Sequence, residues 1–263
     1  MKAVILCGGQ GTRIQEATQG LRPKPMVEIA GRPILWHIMK GYAHFGANDF
    51  VLCLGHLGNT IKDYFLNYEA RQSDVTLHLG SRGEVHYHKH HNEADWTVTL
   101  ADTGPDANTG ARLARVHRYV DGGTFFMTYG DGVSDIDLRA LLAFHKKHGR
   151  IATVTGVMPP GRFGRLGVDG DRVTSFEEKP HGEGGGRING GFFVFEPAIF
   201  DYVSTDASCI LERDAMNRLV ADDQLVMYAH DGFWQCMDTY RDLVLLQQLW
   251  DTGRPPWRLW PES

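Results

Sequence analysis

The chain has 263 residues and a net charge of −5 with no basic run, which argues against nucleic acid or an anionic membrane as partner and favours a small molecule. That length can bury a substantial α/β core and sits at the upper edge of what one domain usually holds. The four cysteines, Cys7, Cys53, Cys209 and Cys236, form no C-x-x-C pair, so neither a zinc knuckle nor a redox motif is indicated, and reduced thiols in the cytoplasm are the expectation.

The first apolar run, residues 3–7, is too short for a signal peptide or a membrane span and reads as a buried strand; no later stretch approaches about 18 apolar residues. Strand-length runs recur at 50–54, 124–129 and 151–157 with helical patterns between them, which predicts a mostly parallel, doubly wound sheet. In 34–45 the residues Leu35, Ile38, Tyr42 and Phe45 share one helical face ahead of Gly46, and 137–148 repeats this with Leu138, Leu141 and Leu142 ahead of Gly149. Between the two units, 75–79, 84–88 and 96–100 alternate like short antiparallel strands of an inserted meander or hairpin. His86, His88, His90 and His91 suit that alternation better than a metal tract. Glycine and proline become frequent after Val157, a helix follows at 240–250, and the tryptophans of the tail need cover from the body or from another subunit.

Gly8-Gly9-Gln10-Gly11-Thr12-Arg13 stands directly after the first strand, where a turn without Cβ atoms lets backbone N–H groups approach phosphate and Arg13 adds a charged fork. The run is neither G-x-G-x-x-G nor a Walker A loop, which weighs against a nicotinamide-dependent oxidoreductase or an ATPase. Lys24 lies between Pro23 and Pro25, in a stiff loop able to aim its ammonium at a triphosphate. Asp131 follows the strand 124–129 through Gly130, at the same predicted sheet edge as the glycine loop, where a triphosphate-bound metal would sit.

GGQGTR, Thr18 and PKPMVEIAGRPILWHIMKGY together resemble the N-terminal signature of the sugar-1-phosphate nucleotidyltransferases. The likeness extends over essentially the whole chain through SDVT, TLADTG, TYGDGV, PGRFG, FEEKP, INGGFF and GFWQ, and it is similar most of all to the branch that couples CTP to glucose 1-phosphate. The resemblance implies a Rossmann-like nucleotidyltransferase fold with an antiparallel insertion, in one domain: a nucleotide-binding half over about 1–157, a sugar-phosphate half over about 158–235, and a C-terminal helix and tail. It implies release of pyrophosphate and formation of CDP-glucose for polysaccharide or deoxysugar synthesis, with Mg²⁺ on Asp131 and Asp238. Leu6, Gly8, Gly9, Gly11, Thr12, Arg13, Lys24, Gly130 and Asp131 would hold the nucleotide. Lys179 would meet the sugar phosphate, Glu178 the sugar hydroxyls, and Gly164, Asn189, Gly190 and Trp234 would line that pocket. Assembly into a homo-oligomer is a further implication.

The base is expected near Thr103, Gly104, Thr109, Gly110 and Arg112, with Gly110 opening a helix over 111–119. Arg112 could donate to cytosine, bind a phosphate, or be a solvated helix arginine. UTP or dTTP as donor, or a sugar-nucleotide-binding homologue without chemistry, are the competing readings. The segment Ser208-Cys209-Ile210-Leu211-Glu212-Arg213 departs from the aromatic, acidic sequence expected of close relatives, which puts a subunit contact or a local lid in question.

Overall fold

Period-two patterning explains why the central strands read as unbroken apolar runs. In strand β1 (Lys2–Leu6) and the residue after it, Ala3, Ile5 and Cys7 enter one core while Val4 and Leu6 enter another, so both faces of the sheet are covered. The computed structural model describes residues 1–11, 20–80, 83–88, 91–120, 122–159, 165–169, 172–177 and 186–261.

After β1 a two-stranded ribbon, β2 (Glu28–Ile29) and β3 (Arg32–Pro33), leads into α1 (Ile34–His44). Then come β4 (Asp49–Leu54), α2 (Gly58–Leu66), α3 (Tyr68–Gln72), β5 (Val75–Leu77), β6 (Val85–Tyr87), β7 (Thr97–Asp102) and α4 (Thr109–Arg115). The central part holds β8 (Phe125–Tyr129), β9 (Gly132–Ser134), α5 (Leu138–His148) and β10 (Ala152–Val157). The chain continues through β11 (Arg165–Asp169), β12 (Arg172–Glu177), β13 (Ile188–Phe195), a π-helical turn (Leu211–Ala215) and α6 (Met216–Ala221), and closes with β14 (Leu225–His230), β15 (Trp234–Cys236) and α7 (Tyr240–Asp251).

Among the described residues, seven strands form the main sheet in the order β14-β10-β13-β8-β1-β4-β7. All run parallel except β13, which is antiparallel to both of its neighbours. The expected mostly parallel sheet is therefore present. One face is covered by α1, α5, α7 and the tail, the other by α4, α6 and the residues around Ile199 and Leu211. Gly149 ends α5 as the sequence suggested, in the left-handed region with its N–H on the His145 carbonyl, and Asp137 caps the other end by accepting from the N–H groups of Arg139 and Ala140.

Two expectations are corrected. Residues 96–100 do not join an antiparallel meander: β5 and β6 form a hairpin, but β7 pairs in parallel with β4 as the edge of the main sheet. Alternation alone does not tell an edge strand of a parallel sheet from a meander strand. The helix expected over 111–119 begins earlier, at Thr109, and gives way to a 3₁₀ turn at His117–Tyr119.

The tail packs on the body. Trp257 is fully buried, and Trp260 meets Trp36 edge-on with ring centroids 5.8 Å apart. These rings enclose His37, whose Nε2 faces the Ile29 carbonyl at 3.0 Å and must carry the proton. Its Nδ1 is buried with no partner among the described residues, so a second proton there would be buried unpaired, and burial lowers its pKa from 6.5 to about 4. Between those values the unfolded chain binds more protons than the folded one. Stability is therefore expected to fall as pH drops from 6.5 towards about 4, by about 3 kcal/mol in all. Urea midpoints across that window check this, and His37→Gln should flatten the dependence.

Candidate active site

The parallel strands β1, β4, β7 and β8 end at one edge of the sheet, and the reversed strand β13 begins there. Two open cavities lie along this edge. The first, of about 260 Å³, is lined by Leu6, Gly8, Gly9 and Gly11 from the β1 turn, by Lys24, by Thr109 and Arg112 of α4, and by Tyr129, Gly130 and Asp131. The second, of about 200 Å³, is lined by Asn189, Gly190, Trp234, Cys236 and Asp238, and again by Tyr129 and Asp131. A larger groove of about 680 Å³ between α1 and the tail shares no lining residue with them.

Asp131 and Asp238 are 107 positions apart in sequence and are brought together by a small ribbon. β15 pairs antiparallel with β9, Cys236 opposite Gly132, and the Met237 N–H donates to the Asp131 carbonyl at 2.8 Å. Asp242, three residues into the capping box of α7, accepts from the backbone N–H of Asp238 at 3.0 Å and of Thr239 at 2.8 Å, which fixes Asp238 at the helix entrance. The Lys24 ammonium then sits between the two carboxylates, 2.7 Å from Asp131 Oδ2 and 2.5 Å from Asp238 Oδ1. Burial alone would lower the Lys24 pKa, but the two aspartates outweigh it and raise the pKa above the ordinary lysine value. A cation already fits between these oxygens, and two carboxylates beside a phosphate-sized cavity are a donor set suited to a hard divalent ion. Cys236 beside them is pushed up to about 12, by burial and then by Asp238 and Asp131, and stays a neutral thiol.

Arg112 is not a solvated helix arginine, because only 4% of it is exposed. Its guanidinium donates to the carbonyls of Leu54, Gly104, Gly8 and Pro105 and to the Thr103 hydroxyl, which ties together the ends of β1, β4 and β7. The absence of a side chain at Gly8 is what admits it, since a Cβ there would stand 2.1 Å from Arg112 Nη1. Thr103 and Gly104 belong to this knot and do not line the cavity. Gly110 does not line it either: it packs against the 209–211 segment, where a Cβ would meet Cys209 Sγ at 2.6 Å. Gly190 lines the second cavity and is pressed against Val157, with room for no side chain, and its carbonyl accepts the Trp234 indole N–H at 2.7 Å.

Thr12, Arg13, Gly164, Glu178, Lys179 and His90 lie outside the described residues. His86, His88 and His91 are not gathered into a site, and no cluster of three or more His, Cys, Asp or Glu able to hold a metal occurs among the described residues. The sequence reading gave no site role to several of the lining residues, Tyr129 and Cys236 among them. Tyr129 could have been suspected from its place just before Gly130-Asp131 at the end of a strand.

Two cavities that meet at one carboxylate, with a half-buried ammonium beside it, can bring two anions to a common point. That is the work of a group-transferring α/β enzyme. The family model described as Nucleotidyl transferase matches residues 2–251, and the chain belongs to that family. It is 51% identical over 262 residues to the glucose-1-phosphate cytidylyltransferase of Salmonella typhi, covering 99% of this chain and all of that one. It is 32% identical over 248 residues to a mannose-1-phosphate guanylyltransferase catalytic subunit beta of Dictyostelium discoideum, covering 93% of this chain and 63% of that one. Among solved structures, a UDP-glucose pyrophosphorylase complexed with UDP-glucose superposes with a TM-score of 0.66 at 15% identity, covering 96% of this chain and 99% of that one. That likeness concerns the fold alone. No described helix is long and apolar enough to cross a membrane.

Proposed function

We propose that the chain transfers the cytidylyl group of CTP to glucose 1-phosphate, giving CDP-glucose and pyrophosphate. The observation that carries this reading is the pair of cavities joined at Asp131, in a chain whose full length aligns at 51% identity with a glucose-1-phosphate cytidylyltransferase. The triphosphate would lie in the first cavity on the glycine turn and Lys24, and the sugar phosphate in the second, beside Asn189, Gly190 and Trp234. A phosphate oxygen of the sugar attacks the α-phosphorus in line; the bond to the β-phosphate oxygen breaks and pyrophosphate leaves. Such chemistry asks for positioning and charge neutralisation more than covalent help. Asp131 and Asp238 would hold the divalent ion, Mg²⁺ in this reading, which when bound supplies charge neutralisation at the phosphates. Lys24 would add a cation at the same point, and Arg13 and Lys179 would serve the triphosphate and the sugar phosphate. A CTP-consuming enzyme of this kind works in the cytoplasm, and its product feeds polysaccharide or deoxysugar synthesis.

Discrimination among bases rests on polar groups left unpaired by the wrong one: cytosine offers an exocyclic amine where uracil and thymine offer a ring N–H and a carbonyl. Initial rates of pyrophosphate release with glucose 1-phosphate and equal, subsaturating CTP, UTP or dTTP test this. CTP is expected to lead by at least about tenfold, the worth of one well-made hydrogen bond. A faster rate with UTP or dTTP overturns the base assignment and leaves the transfer chemistry standing. Absence of pyrophosphate release with every nucleotide tried overturns the enzyme.

A further inference from the structure

Thr109 lines the first cavity, Asn189 the second, and Tyr129 both. The hydroxyls of Thr109 and Tyr129 converge on one carboxylate that comes from neither cavity, Glu212 in the π-helical turn. Thr109 Oγ1 donates to Glu212 Oε2 at 2.6 Å, and the Tyr129 hydroxyl donates to Oε1. An ionised carboxylate only accepts, so both hydroxyl protons must point at it. Their lone pairs are then left for other donors. The Leu211 N–H donates to Thr109 Oγ1 at 3.0 Å, and the Asn189 Nδ2 amide donates to the Tyr129 oxygen at 3.3 Å. Asn189 Oδ1 accepts from the Gly191 N–H at 2.9 Å, which fixes the amide the same way round and leaves its second N–H for the second cavity.

We propose that Glu212 is a positioning residue that couples the two substrate sites: by holding both protons it sets the first turn of α4 on one side and, through Tyr129, the direction of the Asn189 amide on the other. The inference rests on the functional reading above, which assigns the two cavities to the two substrates. Glutamine in its place has one acceptor oxygen and must donate through its nitrogen, so one hydroxyl has to turn round. If Tyr129 turns, its proton faces Asn189, whose amide must then flip and present an acceptor where it had presented a donor.

The test compares wild type, Glu212→Gln, Tyr129→Phe and the double variant, measuring KM for glucose 1-phosphate and for CTP, kcat, and the thermal midpoint. Glu212→Gln and Tyr129→Phe are each expected to raise KM for glucose 1-phosphate by about tenfold, the scale of one misdirected hydrogen bond. The double variant should be no worse than the worse single, because both act through the same amide. A merely structural role for Glu212 would lower the midpoint and leave KM at the wild-type value, and that result overturns the proposal. So does multiplication of the two effects in the double variant. Should Glu212→Gln fail to fold, an unchanged KM in Tyr129→Phe overturns it alone, and a raised one supports it. Wild-type turnover reports separately on the functional reading; if another nucleotide and sugar phosphate are the pair used, the same comparison is made with them.

Discussion

Asp131→Asn is expected to lower turnover by about 10²- to 10³-fold, the roughly 3–4 kcal/mol that loss of one preorganised electrostatic group costs elsewhere. Asparagine keeps the volume and one carbonyl oxygen, so the cavities stay open; what goes is the charge that both would share. The Lys24 ammonium loses the charge of its partner at 2.7 Å and keeps Asp238 as its anionic neighbour, so a single carboxylate would have to balance that ammonium and hold a divalent ion as well. Pyrophosphate release at saturating Mg²⁺ measures the effect. A wild-type rate would remove Asp131 from the chemistry.

Arg112→Ala should act first on the fold. The substitution leaves the carbonyls of Gly8, Leu54, Gly104 and Pro105 and the Thr103 hydroxyl to find new partners in a space where only 4% of the arginine is exposed. Leaving a buried polar group without its partner costs about 1–3 kcal/mol, and several are left at once here, so a loss of about 3–5 kcal/mol is expected. Arg112→Lys should recover little of it, because a single ammonium cannot span five acceptors held in a fork. Denaturant unfolding gives the number. A midpoint within error of wild type would show that these bonds contribute nothing to stability, and the ratio of CTP to UTP rates in the folded variant reports on the base.

The sheet was legible because its strands are buried on both faces and read as plain apolar runs, and the two long helices because each carries one apolar face and a recognisable end. The destination of residues 96–100 was not, since alternation says which residues share a face and nothing about which strand they pair with. At the site, Gly8, Lys24 and Asp131 could be read from turn chemistry and position after a strand. Asp238 needed the family likeness, because its meeting with Asp131 depends on the β9–β15 ribbon, a pairing across a hundred residues. Glu212 carried no local signal at all: a glutamate in a polar segment becomes informative only when two hydroxyls from other elements are seen to point at it. Arg112 was recognised as important, but its burial and its carbonyl partners are tertiary facts.

Among the described residues, Tyr129 and Asp131 form the whole overlap between the linings of the two cavities. The rest of the first comes from residues 6–11, 24–25 and 107–130, and the rest of the second from the opening of the reversed strand and from residues 234–238, with Thr128 and Gly132 beside the shared pair. In terms of descent, on the proposed assignment of the two cavities, donor and acceptor preference are largely separately heritable traits. Drift in the loop before β13 can trade one sugar for another without disturbing the phosphate turn, and drift around α4 can change the base while the acceptor side is kept. Such freedom would end at the two shared residues and at Glu212, which is bonded to both sides, since a change at any of them would be felt by both substrates at once.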